Sequence, residues 1–253
     1  MFEFLTAFIR TKILGRDMEF LTSQFTNPGG RVPNEDSVDH FTSPEENKYA
    51  WIVADGLGGH VSGEVASAEA VKALKNVFID ASKIDENFMK KSFSRMNYSV
   101  LKLDGPLTTA VCAYSNGSKL WYGNNGDSRF YFIRNKKLLE HTNDHSMAYL
   151  DYMDENISYD DISTHPMQNR LYHSLGTESD FTGEFYPAID LRPDDAFMLA
   201  SDGFWELITT EEVVKTRIIS TTSEEWLSMM LDVVQSRLIP TSDNYTVICV
   251  IVK

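Results

Sequence analysis

Residues 53–60 read VADGLGGH, and GEVASAEAVKALKNVFI follows at 63–79. The apolar run that leads into Asp55 is typical of a buried strand, and the segment after the glycines has the hydrophobic spacing of a helix. An aspartate at the tip of a buried strand has a fixed backbone, so its side chain points in a defined direction. Gly56 lets the main chain approach closely, and Gly58 and Gly59 allow a tight turn. The stretch therefore predicts a strand, an acidic turn and a helix that packs back on the strand.

The hydrophobic pattern on either side of this unit predicts helices and short strands in one chain. The apolar face of the helix after Asp55 is expected to contain Val65, Ala68, Val71, Leu74 and Phe78. A second helix is predicted at about 85–102, further helices near 210–220 and 223–239, and strands at 18–27, within 107–142, before Asp202 and at the C-terminal end. Thr209 with Glu212, and Thr222 with Glu225, have capping-box spacing. Antiparallel hairpins with helix pairs before and between them predict a single α+β domain whose sheets are covered by helices.

The composition narrows the class of protein. The chain has 253 residues, 42% of them hydrophobic, and a net charge of −14, which argues against binding a nucleic-acid backbone. Cys112 and Cys249 both lie in apolar strand-like runs, and no zinc-type Cys/His spacing exists. Two free core thiols favour a reducing, cytoplasmic location.

The first residues, MFEFLTAFIRTKILGR, place Phe2, Leu5, Ile9 and Ile13 on one helical face. We therefore predict an N-terminal helical extension at 1–17, followed by a single domain at 18–253. The apolar stretch is too short for an integral membrane segment and shows no signal-peptide cleavage site. A helix packed on the domain is favoured over a helix that binds a membrane surface or a partner.

Four aspartates stand at predicted strand ends: Asp55, Asp127, Asp202 and Asp243. Each alone is adequately explained as a turn residue, because Asp-Gly turns are common. If the strand ends meet, however, the carboxylates repel one another unless a cation lies among them. Oxygen ligands suit Mg²⁺ and Mn²⁺ equally, and these ions retain several waters. The pattern therefore predicts a divalent-metal site.

Seven motifs carry a resemblance to a known family. GGRVPNEDSV, VADGLGGHVSGEVAS, GDSR, TNDHS, HSLG, LASDGFWELI and SDNYTVICV occur in this order. In that order and spacing the chain resembles the metal-dependent type 2C serine/threonine protein phosphatases (the PPM family), in their bacterial form, over about residues 18–253. The resemblance implies a four-layer α-β-β-α sandwich of two antiparallel sheets flanked by helix pairs, with a two-metal centre at one edge.

Matching the motifs implies metal ligands residue by residue. Asp55 resembles the carboxylate that bridges both metals, and the Gly56 carbonyl resembles a ligand of the second. Asp202 and Asp243 resemble ligands of the first metal. Glu35 resembles the acid that reaches the second metal directly or through water.

The remaining matched residues have other implied roles. Asp36 resembles the neighbour that orients metal-bound water, and Arg31 resembles the arginine that grips the substrate phosphate. Asp127, in GDSR, resembles the ligand of a weaker third metal. The cofactors implied are two Mn²⁺ or Mg²⁺ ions per site with that weaker third.

The implied reaction is attack of a water that bridges two metals on the phosphorus of phosphoserine or phosphothreonine. One departure concerns the leaving-group acid, because Leu57 stands where some members carry a histidine. His60 belongs to the double-glycine pattern and is not assigned that role. A water on the third metal at Asp127 is the alternative hypothesis for the acid.

The implied partners are phosphorylated proteins and a Ser/Thr kinase that the enzyme counteracts. Two other functions remain open: an inactive pseudophosphatase that serves as a binding module, and a partner-switching phosphatase with one dedicated phosphoprotein substrate. The polar segment 144–183 corresponds to the flap of the family. Its acidic run, YMDENISYDD, would disfavour highly phosphorylated or acidic peptides, or attract basic ones.

Overall fold

The strands of this computed structural model, which describes residues 5–13, 16–58 and 63–253, form two antiparallel sheets. Sheet I contains, in spatial order, β1 (Leu5–Ile13), β2 (Arg16–Asn27), β13 (Tyr245–Val252), β12 (Ala196–Ala200), β8 (Arg129–Arg134) and β9 (Lys137–His141). Sheet II contains β10 (Glu184–Phe185), β7 (Lys119–Asn125), β6 (Ala110–Ser115), β4 (Lys48–Leu57) and β3 (Asp36–Ser43), with β11 (Ile189–Asp190) beside β7 and β5 (Leu107–Thr108) beside β4.

The two sheets pack face to face, because the central strands are apolar on both faces. Trp51 and Tyr122 of sheet II meet Phe130, Phe197 and Ile248 of sheet I in one buried cluster. The Trp51 and Phe197 rings lie edge to face at 5.0 Å. Burial on both faces explains why β6, β12 and β13 read as continuous apolar runs rather than alternating ones.

Helices cover the outer face of each sheet. Sheet II carries α1 (Gly63–Ile79) and α2 (Glu86–Leu101). Sheet I carries α4 (Asp202–Trp205), α5 (Thr210–Ile219) and α6 (Ser223–Arg237), and α3 (Met147–Met153) lies in the segment after β9. The predicted α-β-β-α sandwich is confirmed. None of the helices in the described part of the chain has the length and apolar character that a membrane crossing requires.

Two local predictions are wrong. Residues 5–13, predicted as helix, form strand β1, which pairs antiparallel with β2 from Leu5 opposite Gln24 to Ile13 opposite Arg16. The buried face of α1 is also shifted, because Val65 is 46% exposed whereas Ala66 and Ala70 are buried. Small residues on that face let α1 lie close to sheet II. Residues 1–4, 14 and 15 of the predicted extension lie outside the described residues.

Helix α5 begins at the predicted capping box. Thr209 accepts a hydrogen bond from the Glu212 amide at 3.3 Å, and the Glu212 carboxylate accepts one from the Thr209 amide at 2.9 Å. Thr222 likewise caps α6 through the Glu225 amide, but the Glu225 carboxylate accepts from Thr221 instead. The first box is therefore confirmed in full, and the second only on the Thr222 side.

Glu212 also joins α5 to α6, because Arg237 donates to both of its carboxylate oxygens at 2.8 and 2.6 Å. The Arg237 guanidinium, with the Thr209 bonds, lowers the pKa of Glu212 to about 2. A carboxylate whose pKa is depressed by folding stabilises the fold above its unfolded pKa of about 4.3, and this stabilisation is lost as pH falls toward 2.

We therefore expect Glu212→Gln to lower the free energy of unfolding by about 1 kcal/mol at pH 7, and by much less at pH 2.5. Urea unfolding at both pH values measures the difference. Glu211→Gln is the matched control, because its exposed pair with Lys215 contributes less at either pH. An equal loss for Glu212→Gln at both pH values would show that the ion pair is not the cause.

Candidate functional site

An acidic cleft of about 730 Å³ opens at one edge of the sandwich, where strand ends and loops meet. Acids, arginines and glycines are among the residues that line the cleft. The acids are Glu35, Asp55, Asp202 and Asp243, the arginines are Arg31 and Arg170, and the glycines are Gly56 and Gly58. Six of the eight residues singled out from the sequence are therefore in its wall. Asp36 and Asp127 are not; they are buried beside it.

Asp55 is held at the end of β4 by two threonines. The Asp55 amide donates to the Thr109 hydroxyl at 3.0 Å. The Asp55 carbonyl accepts from the Thr109 amide and from the Thr108 hydroxyl, both at 2.8 Å. All main-chain polar groups of Asp55 are thus engaged, which leaves the carboxyl group as its functional part.

Gly56 lies where three chain segments touch. A Cβ at this position would overlap the carbonyl of Gly63, at the start of α1, and would lie 2.7 Å from the carbonyl oxygen of Glu35. The Gly56 amide donates to that Glu35 carbonyl at 3.1 Å. The glycine is required here because backbone on both sides leaves no room for a side chain.

The Glu35 side chain lies between these segments and accepts a hydrogen bond from the Gly63 amide at 3.2 Å. Asn244 fixes the main chain of Glu35 by accepting from its amide at 2.8 Å. The Asn244 amide group donates to the carbonyls of Pro28 at 2.8 Å and of Arg31 at 3.1 Å. Asn244 therefore sets the position of loop 28–35 relative to Asp243. From the sequence, Asn244 is interpreted as shaping the turn beside Asp243 or holding a metal-bound water; its contact with loop 28–35 is not predicted.

Asp243 and Arg31 form an ion pair across the cleft. The Asp243 carboxylate also accepts a hydrogen bond from the backbone N–H of Asn244 at 2.8 Å. The Arg31 side chain is 60% exposed, so solvent screens the pair and the guanidinium can exchange partners.

The carboxyl groups of Asp55 and Asp202 interact, and each affects the pKa of the other. Burial, followed by the charges of Asp202, Asp36 and Asp127, raises the pKa of Asp55 well above its usual value. Burial and the charge of Asp243 raise the pKa of Asp202. These acids are thus close enough to oppose one another's ionisation.

Asp36, on β3, lies directly opposite Asp55 in the antiparallel pairing of β3 with β4. Its Oδ2 accepts from the Ser201 hydroxyl at 2.8 Å, whereas its Oδ1 is buried without a hydrogen-bond partner among the described residues. Burial raises the pKa of Asp36 to about 7. A buried carboxylate oxygen left unpaired is suited to accept a hydrogen bond from a water molecule.

Asp127 lies in the turn between β7 and β8. Trp205 donates its indole N–H to the Asp127 carbonyl at 3.0 Å, and Gln168 donates to Asp127 Oδ2 at 3.4 Å. The guanidinium of Arg129 lies 3.4 Å over the Trp205 ring and is held by both oxygens of Asp144 at 2.8 and 2.5 Å. Burial and the charge of Asp202 raise the pKa of Asp127 well above its usual value.

Glu206 was not singled out from the sequence. Burial, with the charges of Asp202 and Asp243, raises its pKa to about 8. The sequence did contain a signal for Glu206: it lies four residues after Asp202, and residues one helical turn apart lie on the same face of a helix. It lies in a separate cavity of about 130 Å³ with Arg129 and Trp205.

The donor set fits a hard divalent cation, since it consists of oxygen atoms that repel one another until a positive charge is added. Among the described residues, no group of three or more His, Cys, Asp or Glu side chains is arranged to hold an ion alone. The fit therefore applies to ions that share carboxylates and complete their shell with carbonyl oxygens and water, as Mg²⁺ does. His60 and Gly59 lie outside the described residues.

Comparisons with known proteins agree with this geometry. The profile of the family described as Protein phosphatase 2C matches residues 26–151. The chain is 30% identical over 212 residues to the serine/threonine phosphatase stp of Listeria monocytogenes, covering 77% of this chain and 83% of the relative.

Two solved structures extend the match to the fold. The Stp1 serine/threonine phosphatase of Staphylococcus aureus superposes with a TM-score of 0.83 at 25% identity, and the match covers 97% of each chain. The catalytic domain of PstP, in complex with two manganese ions, superposes with a TM-score of 0.79 at 22% identity, covering 93% of this chain and 99% of that one.

Proposed function

Because this chain belongs to the protein phosphatase 2C family, we propose that its acidic cleft removes phosphate from phosphoserine and phosphothreonine residues of proteins. The chain is a serine/threonine protein phosphatase. The observation that carries the proposal is that Asp55, Asp202 and Asp243 line one cleft together with Arg31. A protein Ser/Thr kinase would supply the substrates, since it makes the bond that this enzyme breaks.

Catalysis depends on divalent metal ions, and Mn²⁺ or Mg²⁺ would be held in pairs. Asp55 would bridge the two ions, Asp202 and Asp243 would complete the first, and the Gly56 carbonyl and Glu35 would serve the second. Asp127 would hold a weaker third. When bound, such ions supply Lewis acidity and lower the pKa of coordinated water toward neutrality. The repulsion among Asp55, Asp202 and Asp36 supports this assignment.

Arg31 would bind the phosphoryl group of the substrate. A planar guanidinium donates two parallel hydrogen bonds to phosphate oxygens and stabilises the charge that develops on them. Arg31 is exposed and bonded to Asp243, so a phosphate that enters the cleft can replace this carboxylate as its partner. Asp36, whose Oδ1 is unpaired, would orient the attacking water.

We propose a cytoplasmic location, on the basis of two buried free cysteines. The acidic net charge of −14 supports protein substrates rather than nucleic acid. A pseudophosphatase is not favoured, because all of the acids implied by the motifs are present at the cleft or beside it.

The direct test compares a phosphothreonine peptide with a small aryl phosphate at matched Mn²⁺ concentrations. We expect hydrolysis of both, with higher kcat/KM for the peptide. Hydrolysis of the aryl phosphate but of no peptide would favour the phosphatase with one dedicated substrate. Failure on both, by protein that binds Mn²⁺ in calorimetry, would contradict the proposal.

The assignment of Asp127 leads to a prediction for Trp205→Phe. This change removes the indole N–H that holds the Asp127 carbonyl but keeps an aromatic ring beneath Arg129. Groups that only orient a metal ligand change affinity by roughly 10- to 100-fold. We therefore expect the weakest Mn²⁺ site, followed by calorimetry, to lose about 10-fold in affinity, with the tighter sites unchanged.

Trp226→Phe is the matched control, since it also removes an indole bond to a buried carbonyl, that of Val213 at 3.3 Å, at a distance from the cleft. An equal loss of the weakest Mn²⁺ site in both variants, or in neither, would refute a positioning role for Trp205.

A further inference from the structure

One wall of the cleft comes from the polar segment that follows α3. Asn169, Arg170, Leu171 and Ser174 line the same 730 Å³ space as the acids. Arg170 is therefore a second cation at the cleft besides Arg31. None of the sequence motifs includes it.

The backbone around Arg170 is held in place on both sides. Its carbonyl accepts from the Met147 amide at 2.9 Å, and its own amide donates to the Met167 carbonyl at 3.1 Å. Leu171 pairs with Ser146, and Leu175 pairs with Thr108 of β5. Because β5 adjoins the end of β4, the segment is tied to the strand that carries Asp55.

The guanidinium of Arg170, in contrast, has no hydrogen bond or ion pair with the described residues and is exposed to solvent. Four other arginines of this acidic chain are each engaged by an acid: Arg31 by Asp243, Arg129 by Asp144, Arg134 by Asp195 and Arg237 by Glu212. An arginine with a fixed backbone and an unengaged side chain in the wall of a substrate cleft is suited to bind part of the substrate.

We infer that Arg170 binds an oxyanion of the substrate that flanks the phosphorylated residue, so that the enzyme prefers phosphopeptides with an adjacent acidic side chain or second phosphate. This inference rests on the proposed phosphatase function. Carboxylate and phosphate present the same pair of oxygens to the planar guanidinium. Arg31 serves the scissile phosphate, which leaves Arg170 for the next anionic group.

This inference replaces the expectation drawn from the acidic run of the same segment. One of its acids is occupied elsewhere, since the Asp161 carboxylate accepts hydrogen bonds from the Ser158 amide and hydroxyl. Asp151, which directly precedes the run, contacts His165 at 3.4 Å. Of the described side chains of the run, those of residues 152–159 and 161 do not line the cleft, whereas Arg170 does. The charge that a bound peptide meets on this wall is therefore positive.

The test uses the full chain with Mn²⁺ and pairs of phosphothreonine peptides that differ only by Glu or Gln at one flanking position, moved along either side of the phosphothreonine. A third series carries phosphoserine at that position. For the best position, we expect the wild-type kcat/KM to favour Glu over Gln by about 5-fold, the upper range for an exposed ion pair. The ratio should fall toward 1 in Arg170→Gln, stay intermediate in Arg170→Lys, and shrink with added salt.

Arg192→Gln is the control. Arg192 is exposed and precedes β12, whereas Asp202 of the cleft follows β12, so this substitution should leave the Glu/Gln ratio of kcat/KM unchanged. A wild-type kcat/KM that favours neither Glu nor phosphoserine over Gln at any position, or a preference that persists in Arg170→Gln, would overturn the inference. So would an equal loss on both peptides in Arg170→Gln, which would place Arg170 on the scissile phosphate. Preference for the phosphoserine series alone would identify a second phosphate as the ligand. No phosphate release from any peptide would instead contradict the proposed function itself.

Discussion

Asp55→Asn is expected to abolish metal-dependent phosphate release while leaving the metal-free protein at least as stable as the wild type. The loss of activity should exceed the roughly 10- to 100-fold that groups behind a metal ligand cost, because Asp55 would be shared by both ions. Stability should not fall, since Asn has the same shape and removes one of several mutually repelling charges.

Thermal unfolding with and without Mn²⁺ separates these two effects. In the wild type, Mn²⁺ should raise the Tm, because a ligand that binds only the folded state stabilises it. In Asp55→Asn this increase should disappear, while the Tm without metal stays the same or rises. Asp232→Asn makes the same chemical change on the exposed side of α6 and should preserve both activity and the Mn²⁺ effect. A Tm increase of wild-type size in Asp55→Asn would contradict the bridging role.

Gly56→Ala is expected to damage both the fold and the site. The added methyl group would overlap the Gly63 carbonyl and crowd the Glu35 carbonyl, and neither main chain can move without displacing α1 or loop 28–35. Overpacking of this kind costs about 1–3 kcal/mol. We expect a loss in the free energy of unfolding at the upper end of this range, measured by urea unfolding, and a large loss of activity even in the fraction that remains folded.

Gly58→Ala is the matched comparison. Its Cβ would meet the Glu35 carboxylate, the end of a flexible side chain, so the fold should lose less than about 0.5 kcal/mol. Equal destabilisation by the two variants would show that the contact between β4 and α1 does not require a glycine at 56.

Much of the site was predictable from the sequence because its acids stand where strands end. Asp55 and Asp202 follow buried apolar runs, and Asp243 precedes one, so each is expected at the end of a strand. The order of the motifs around them then specified the sandwich. The buried face of α2, with Phe88, Met89, Phe93, Met96 and Val100, also followed from helical spacing.

Other features depend on contacts between segments distant in sequence. Leu5, Ile9 and Ile13 fit one helical face, but alternate residues of the same stretch also suit a strand, and pairing with β2 decides between them. Thr109 bonds to Asp55, which lies 54 positions earlier in the chain. Asn244 bonds to Glu35, which lies 209 positions earlier. Arg170 gains its significance only from the wall on which it lies. No local pattern encodes these relations.

The central claim is that the acidic cleft is a metal-dependent phosphatase centre. The most direct test is phosphate release from a phosphothreonine peptide by the wild type and by Asp202→Asn, each with Mn²⁺ and with a chelator. The account predicts release by the wild type only when Mn²⁺ is present, and none above background by Asp202→Asn in either condition. Release that is unaffected by the chelator, or that survives in Asp202→Asn at the wild-type rate, would contradict it.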